Sequence, residues 1–188
     1  MKIAQVITRL DSGGSPDIVR ITCERLAASG HDVTLISGPL SRVTEKTAAF
    51  LKTFHGRYVE IPRLKRDVDI LSDISALADL RSVFTSGKFD VIHTHTSKAG
   101  FLGRIAARLA GCRAVVHTPH GHILYGYFNK PLTALFTRAE RFASRYSDMV
   151  IALTQLEKND MARGRKCPAD KIEVVRQGHR PSKLLDHV

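Results

Sequence analysis

Tryptophan is absent from these 188 residues, and aromatic side chains make up only 6% of them. That scarcity argues against sugar stacking on indoles and against an aromatic belt at a membrane interface. No apolar run approaches the ~20 residues that a membrane-spanning helix requires. The opening Met1-Lys-Ile-Ala-Gln-Val-Ile-Thr8 is too short an apolar stretch for a signal peptide and reads as a first strand. Cysteine is sparse: Cys23, Cys112 and Cys167 lie far apart and share no C-x-x-C spacing. They make neither a disulfide framework nor a zinc site, and they fit a reducing cytosol.

Acidic residues are also in short supply. Asp+Glu number 18 against Lys+Arg 29, for a net charge of +11. Such a balance points to a polyanionic partner: nucleic acid, an anionic bilayer, or phosphorylated ligands. The bases are grouped. Arg138, Arg141 and Arg145 fall at i, i+3, i+7 along one helix, opposite its apolar face, and Arg104 with Arg108 repeat the pattern on another. Nucleic acid is disfavoured, because the bases do not interleave with stacking aromatics and no recognition motif occurs.

The length suits one large domain with a substantial core. Strand and helix patterns alternate throughout. Strands are expected at Ile3–Thr8, Asp32–Ser37, Arg57–Ile61, Phe89–Thr94, Ala114–Thr118, Met149–Leu153 and Ile172–Val175. A helix follows Asp11-Ser-Gly-Gly-Ser-Pro16 and buries Val19, Thr22, Cys23 and Leu26. Another, Asp69–Ser86, runs through Ile70, Ile74, Leu77 and Phe84, with Gly87 just past its end. Further helices are expected at Lys98–Ala110, after Pro131 (with Leu132, Leu135, Phe136, Ala139, Ala143 and Tyr146 on one face), and at Gln155–Arg163. Residues 39–56 show no regular pattern. Near-continuous apolar strands joined by helices imply an α/β fold: a doubly wound, mostly parallel Rossmann-like sheet with helices on both faces.

In such a sheet the strand carboxyl ends face the ligand crevice. Two segments place five of the nine histidines there: Asp90-Val-Ile-His-Thr-His-Thr-Ser-Lys98 and Val115-Val-His-Thr-Pro-His-Gly-His122. Titratable clusters after buried strands are site candidates, although histidines also satisfy core hydrogen bonds. Gly13-Gly14 would let backbone N–H groups approach an anion at a helix N-terminus. It is not G-x-G-x-x-G, and the second strand ends Leu35-Ile-Ser-Gly38 without an acidic residue, which disfavours a dinucleotide site. A zinc site built on His-x-His is the rival use of the histidines. Asp90 at the wrong end of its strand and Cys112 beyond a helix argue against it, so no metal is expected.

The opening strand with Gly13-Gly14, the segment from Asp90 through Lys98-Ala-Gly100, and Phe101-Leu-Gly-Arg-Ile-Ala-Ala107 carry a resemblance. It continues through His117-Thr-Pro-His-Gly-His122, Val150-Ile-Ala-Leu-Thr154 and Lys171-Ile-Glu-Val-Val175. In this order and spacing the chain resembles the N-terminal half of a retaining family-4 glycosyltransferase of the GT-B fold, particularly bacterial enzymes of polysaccharide and lipid-linked sugar synthesis. The resemblance covers residues 1–178, with 179–188 as a tail where an interdomain linker would begin. It implies one half of a GT-B enzyme that transfers a sugar from a nucleotide-sugar donor to a polysaccharide or lipid-linked acceptor, with no other cofactor. It further implies that His120 lies near the transferred sugar as the catalytic group, and that Gly13 and Gly14 lie beside the donor diphosphate. His93, His95, Lys98, His117 and His122 become substrate-binding candidates.

After Val175 the family usually reads Pro-Asn-Gly-Val-Asp and enters a second Rossmann-like domain that holds the nucleotide sugar; here Arg176-Gln-Gly-His-Arg-Pro181 follows. The expectation is therefore an acceptor-side half that is inactive alone. Its expected location is cytoplasmic, peripheral on the inner face of a membrane, with Arg138, Arg141 and Arg145 facing the bilayer. The rival class is a non-catalytic basic module that binds anionic membrane or polymer.

Overall fold

The structure is a computed structural model in which residues 1–40, 43–121, 130–164 and 166–176 are described, Lys130 and Leu132 by backbone alone. Among the described residues seven strands and six α-helices alternate: β1 (Lys2–Ile7), α1 (Gly14–Ala28), β2 (Asp32–Ser37), α2 (Glu45–Thr53), β3 (Arg57–Glu60), α3 (Ile70–Gly87) and β4 (Val91–His95). Then come α4 (Ser97–Leu109), β5 (Ala114–Thr118), α5 (Lys130–Ser144), β6 (Met149–Ala152), α6 (Gln155–Arg163) and β7 (Ile172–Val174). The sheet order is β3-β2-β1-β4-β5-β6-β7, and every pairing is parallel. This is the doubly wound architecture expected. The order reverses between β1 and β4, so the crevice lies beyond their carboxyl ends.

Burial on both faces explains the unbroken apolar strands. Ile7, Val33 and Leu35 pack with Val19 and Cys23 of α1 and Phe50 of α2. Ala4, Val6, Ile36, Ile92 and Val115 alternate to the other face, beneath Ala76, Leu80 and Phe84 of α3 and Ala99 and Ala106 of α4. A third cluster joins Val150, Ala152 and Ile172 to Met161 and Cys167 at the far edge.

Helix α4 sits close to the sheet because two of its residues lack side chains. A Cβ on Gly100 would lie 2.3 Å from Cε1 of His117, and one on Gly103 would lie 2.7 Å from Thr94 Cγ2. These glycines bring the N-terminus of α4 down beside the end of β4, where the candidate site begins.

Several expectations need correction. Residues 45–53 form α2, a helix the sequence pattern concealed. It is short, buries only Thr47 and Phe50, and is fixed by Thr44, whose Oγ1 accepts the Thr47 N–H. Ile70 and Ile74 are 74% and 61% exposed, and the buried stripe of α3 is Ala76, Leu80 and Phe84. Gly87 ends α3, and the left-handed cap is Lys88 with φ 48°. Leu135, expected in the core, is 61% exposed. Arg104, expected on a basic surface stripe with Arg108, is wholly buried and pairs with Glu140. The segment Ile123–Phe128 and the tail 179–188 lie outside the described residues, as does His122.

Candidate functional site

Polarity at the sheet's switch point comes from three neighbouring strands. Gln5 of β1 pairs in register with His93 of β4, and His95 with Thr118 of β5. Alternation turns Gln5, His93, His95 and Thr118 toward one face, while Thr94 and His117 turn toward α4. His120 follows β5 in a left-handed conformation with φ 61°, and Thr96 follows β4 with φ 63°. Among the described residues, two of the three non-glycine positions with positive φ therefore stand at the crevice, each held there by its surroundings.

The polar residues on the Gln5 face form a connected set. His93 Nε2 and Thr118 Oγ1 are 2.8 Å apart. His95 Nε2 lies 2.6 Å from Gln5 Oε1, and His95 Nδ1 lies 2.8 Å from His120 Nε2. The rings of His93 and His95 stack obliquely with centroids 4.0 Å apart. Burial holds these imidazoles neutral. It pushes His93 down to about 3, with nearby His120 adding to the effect, and His120 down to about 4. His95 falls well below the usual histidine range, first through burial and then through its histidine neighbours. His120 Nδ1 is buried and has no hydrogen-bond partner among the described residues.

His117 is placed elsewhere. It is 1% exposed beneath Gly100, with Nδ1 between Thr94 Oγ1 at 3.0 Å and the Thr94 carbonyl at 3.1 Å. Burial, then Arg104 nearby, pushes it down to about 3. That geometry packs α4 on the sheet and keeps His117 out of the crevice. Lys98 lies at the N-terminus of α4, where its ammonium donates to the Asp67 carbonyl and pairs with Asp73 of α3. Gly13 caps α1 at φ 135°, a conformation that requires glycine, and Gly14 opens the helix. The turn opens onto a cavity of about 330 Å³ with Arg20 and Lys46 on its wall. Arg20 is already engaged by Asp17, Thr47 and the Leu10 carbonyl.

Three residues of the site were missed in the sequence: Gln5, Thr118 and Glu157. Gln5 is a polar residue inside an apolar strand, a signal that was visible. Glu157 is 7% exposed and accepts the N–H of Leu153 at 2.7 Å and of Gly121 at 3.2 Å, which ties α6 to the turn carrying His120. The spacing Thr154-x-x-Glu157 matches a capping box, and Thr154 Oγ1 indeed accepts the Glu157 N–H. Among the described residues, no group of three or more histidine, cysteine or acidic side chains is arranged to hold a metal ion.

The family model described as Glycosyltransferase Family 4 matches residues 12–183. A UDP-Gal:alpha-D-GlcNAc-diphosphoundecaprenol alpha-1,3-galactosyltransferase of Escherichia coli is 32% identical over 158 residues, covering 82% of this chain and 39% of that protein. A D-inositol 3-phosphate glycosyltransferase of Thermobispora bispora is 25% identical over 179 residues, covering 89% and 42%. The chain thus spans about two fifths of the length of these relatives. Among solved structures, a glycosyltransferase from Rickettsia africae superposes with a TM-score of 0.70 at 18% identity, covering 94% of this chain and 43% of that one. At that identity the likeness establishes the shared fold.

Proposed function

Since the chain belongs to glycosyltransferase family 4, we propose that it forms the acceptor-side half of an enzyme that moves a sugar from a nucleotide-sugar donor to a lipid-linked or saccharide acceptor. The observation that carries this reading is the neutral histidine set at the switch point, centred on His120. Glycosyl transfer needs an acceptor for a hydroxyl proton or hydrogen bond beside the reacting sugar, and donors for the departing diphosphate. His120 serves the first need, with the Gly13-Gly14 turn on the donor side. The Escherichia coli relative acts on a diphospholipid-linked sugar, as its name states. An acceptor of that class suits a chain of net charge +11. The donor nucleotide is held by a second half, so the crevice here is one wall of the cleft. The enzyme works peripherally at the inner face of a membrane, where exposed Leu135 and Phe142 lie among Arg138, Arg141 and Arg145.

The test is a transfer assay with a panel of nucleotide sugars and diphospholipid-linked acceptors. It is run on the chain alone and on the chain joined to a family donor-binding half. Transfer is expected only from the joined protein, with His120→Ala lowering turnover roughly 10²–10⁴-fold. Calorimetry on the chain alone should find no nucleotide sugar bound tighter than roughly millimolar, about −4 kcal/mol. Micromolar binding by the chain alone would overturn the division of labour.

A further inference from the structure

The contacts of His95 form a line: Gln5 Oε1, His95 Nε2, His95 Nδ1, His120 Nε2, at 2.6 Å and 2.8 Å. A neutral imidazole carries one N–H and one lone pair, so the state of one end dictates the other. Gln5 Oε1 can only accept, which makes His95 Nε2 the protonated nitrogen and His95 Nδ1 the lone pair. His120 must then donate through Nε2–H, and its lone pair falls on Nδ1. The reversed polarity, with the Gln5 amide donating, would put an N–H on His120 Nδ1. That nitrogen is buried without a partner among the described residues, and an orphaned buried N–H is rarer and costlier than an under-used acceptor.

We propose that Gln5 is a positioning residue. Acting through His95, it fixes the Nε2–H tautomer of His120 and holds that ring in one orientation at the crevice. The inference deepens the reading of His120 given above and rests on it for the part that ring plays in transfer. The relay itself stands on the contact geometry together with the burial that keeps the rings neutral. Gln5 is 1% exposed and His95 1%, so neither reaches substrate, and both act only through His120. Neutrality across the whole line, enforced by burial, is the condition under which a relay of single N–H groups has one polarity.

The experiment is long-range proton–nitrogen correlation NMR of the histidine rings in the 188-residue chain, at neutral pH. Wild-type His120 is expected to show an Nε2–H, with an unprotonated Nδ1. A wild-type His120 protonated at Nδ1 would overturn the proposal without any variant. Gln5→Met keeps the volume and removes the acceptor. It should leave the ring spectra of His95 and His120 as mixtures of tautomers. Unchanged single tautomers in Gln5→Met would likewise overturn the relay. In the joined enzyme the same variant should lower kcat roughly tenfold, the equivalent of one net hydrogen bond, with KM little changed. Tautomers that behave as expected in a protein without transfer activity would keep the relay and sink the glycosyltransferase reading. Tautomer mixing with kcat intact would overturn the positioning role of Gln5.

Discussion

The carboxylate of Glu157 accepts the backbone N–H of Gly121 at 3.2 Å, so the first turn of α6 grips the residue that follows His120. The same carboxylate takes the Leu153 N–H at 2.7 Å. Removing it strands two backbone donors in a part-buried site. Glu157→Ala is expected to cost roughly 1–3 kcal/mol of stability and to impair transfer beyond that loss, because the left-handed turn at His120 loses its anchor. Glu157→Gln retains one acceptor and should do less harm on both counts. Urea unfolding together with a transfer assay checks this; equal activity in the two variants would remove Glu157 from the site's support.

Arg104 makes a parallel two-bond pair with Glu140, both contacts 2.8 Å, and its Nε donates to the Gly100 carbonyl at 2.8 Å. The pair joins α4 to α5, and Arg104 is fully buried. Deleting the carboxylate alone leaves a buried guanidinium without its counter-ion. Glu140→Ala should therefore cost about 3–5 kcal/mol, while Arg104→Met with Glu140→Leu should recover most of that loss. A double-mutant cycle by denaturant titration reads the coupling, and a small Glu140→Ala effect would contradict it.

Acid should unfold this protein early. In an unfolded chain the imidazoles titrate near 6.5, whereas burial holds His93 and His117 at about 3 and His120 at about 4. Between those limits the unfolded state binds protons that the folded state refuses, so stability falls as pH falls. The contribution is complete above pH 6.5 and is lost progressively toward pH 4. Each such histidine adds up to about 1.4 kcal/mol per pH unit to the slope. Urea midpoints at pH 7.5, 6 and 5 should drop steadily, and His117→Gln, if it folds, should flatten the curve. Equal midpoints across the series would mean the imidazoles are not buried neutral.

Alternating apolar strands and helix punctuation carried most of the fold, and the boundaries of β2, β5 and α6 are legible to the residue. The misses have physical reasons. Helix α2 has too few turns for a period to emerge, and Ile70 and Ile74 are apolar yet exposed, so their spacing does not mark the buried stripe of α3. At the site, strand-end position points to His93, His95 and His120, and the structure brings these three rings together. Position along a strand could not tell His117 from His95. Which face each takes depends on the pleat, and Gly100 supplies the hollow that receives the His117 ring. Arg104 looked like surface charge because its partner, Glu140, lies 36 residues away.

The arginine stripe yields the final expectation. Arg138, Arg141 and Arg145 are all exposed, the last just beyond the end of α5. Leu135 at 61% and Phe142 at 43% exposure stand among them at helical spacing. A surface that mixes cations with exposed apolar side chains fits the proposed contact with an anionic bilayer interface. Each arginine near such a surface contributes on the order of 1 kcal/mol, screened by salt. Replacing all three with Gln is expected to cut binding to anionic vesicles severalfold to a hundredfold at low salt, with little change in folding stability. Leu135→Ser with Phe142→Ser should weaken binding by an amount that survives added salt, since apolar insertion is not screened. Sedimentation with vesicles of neutral and anionic lipid, at low and physiological salt, separates the two contributions. If the triple variant partitions like the wild type, the stripe is an ordinary solvated face and the membrane reading loses its support.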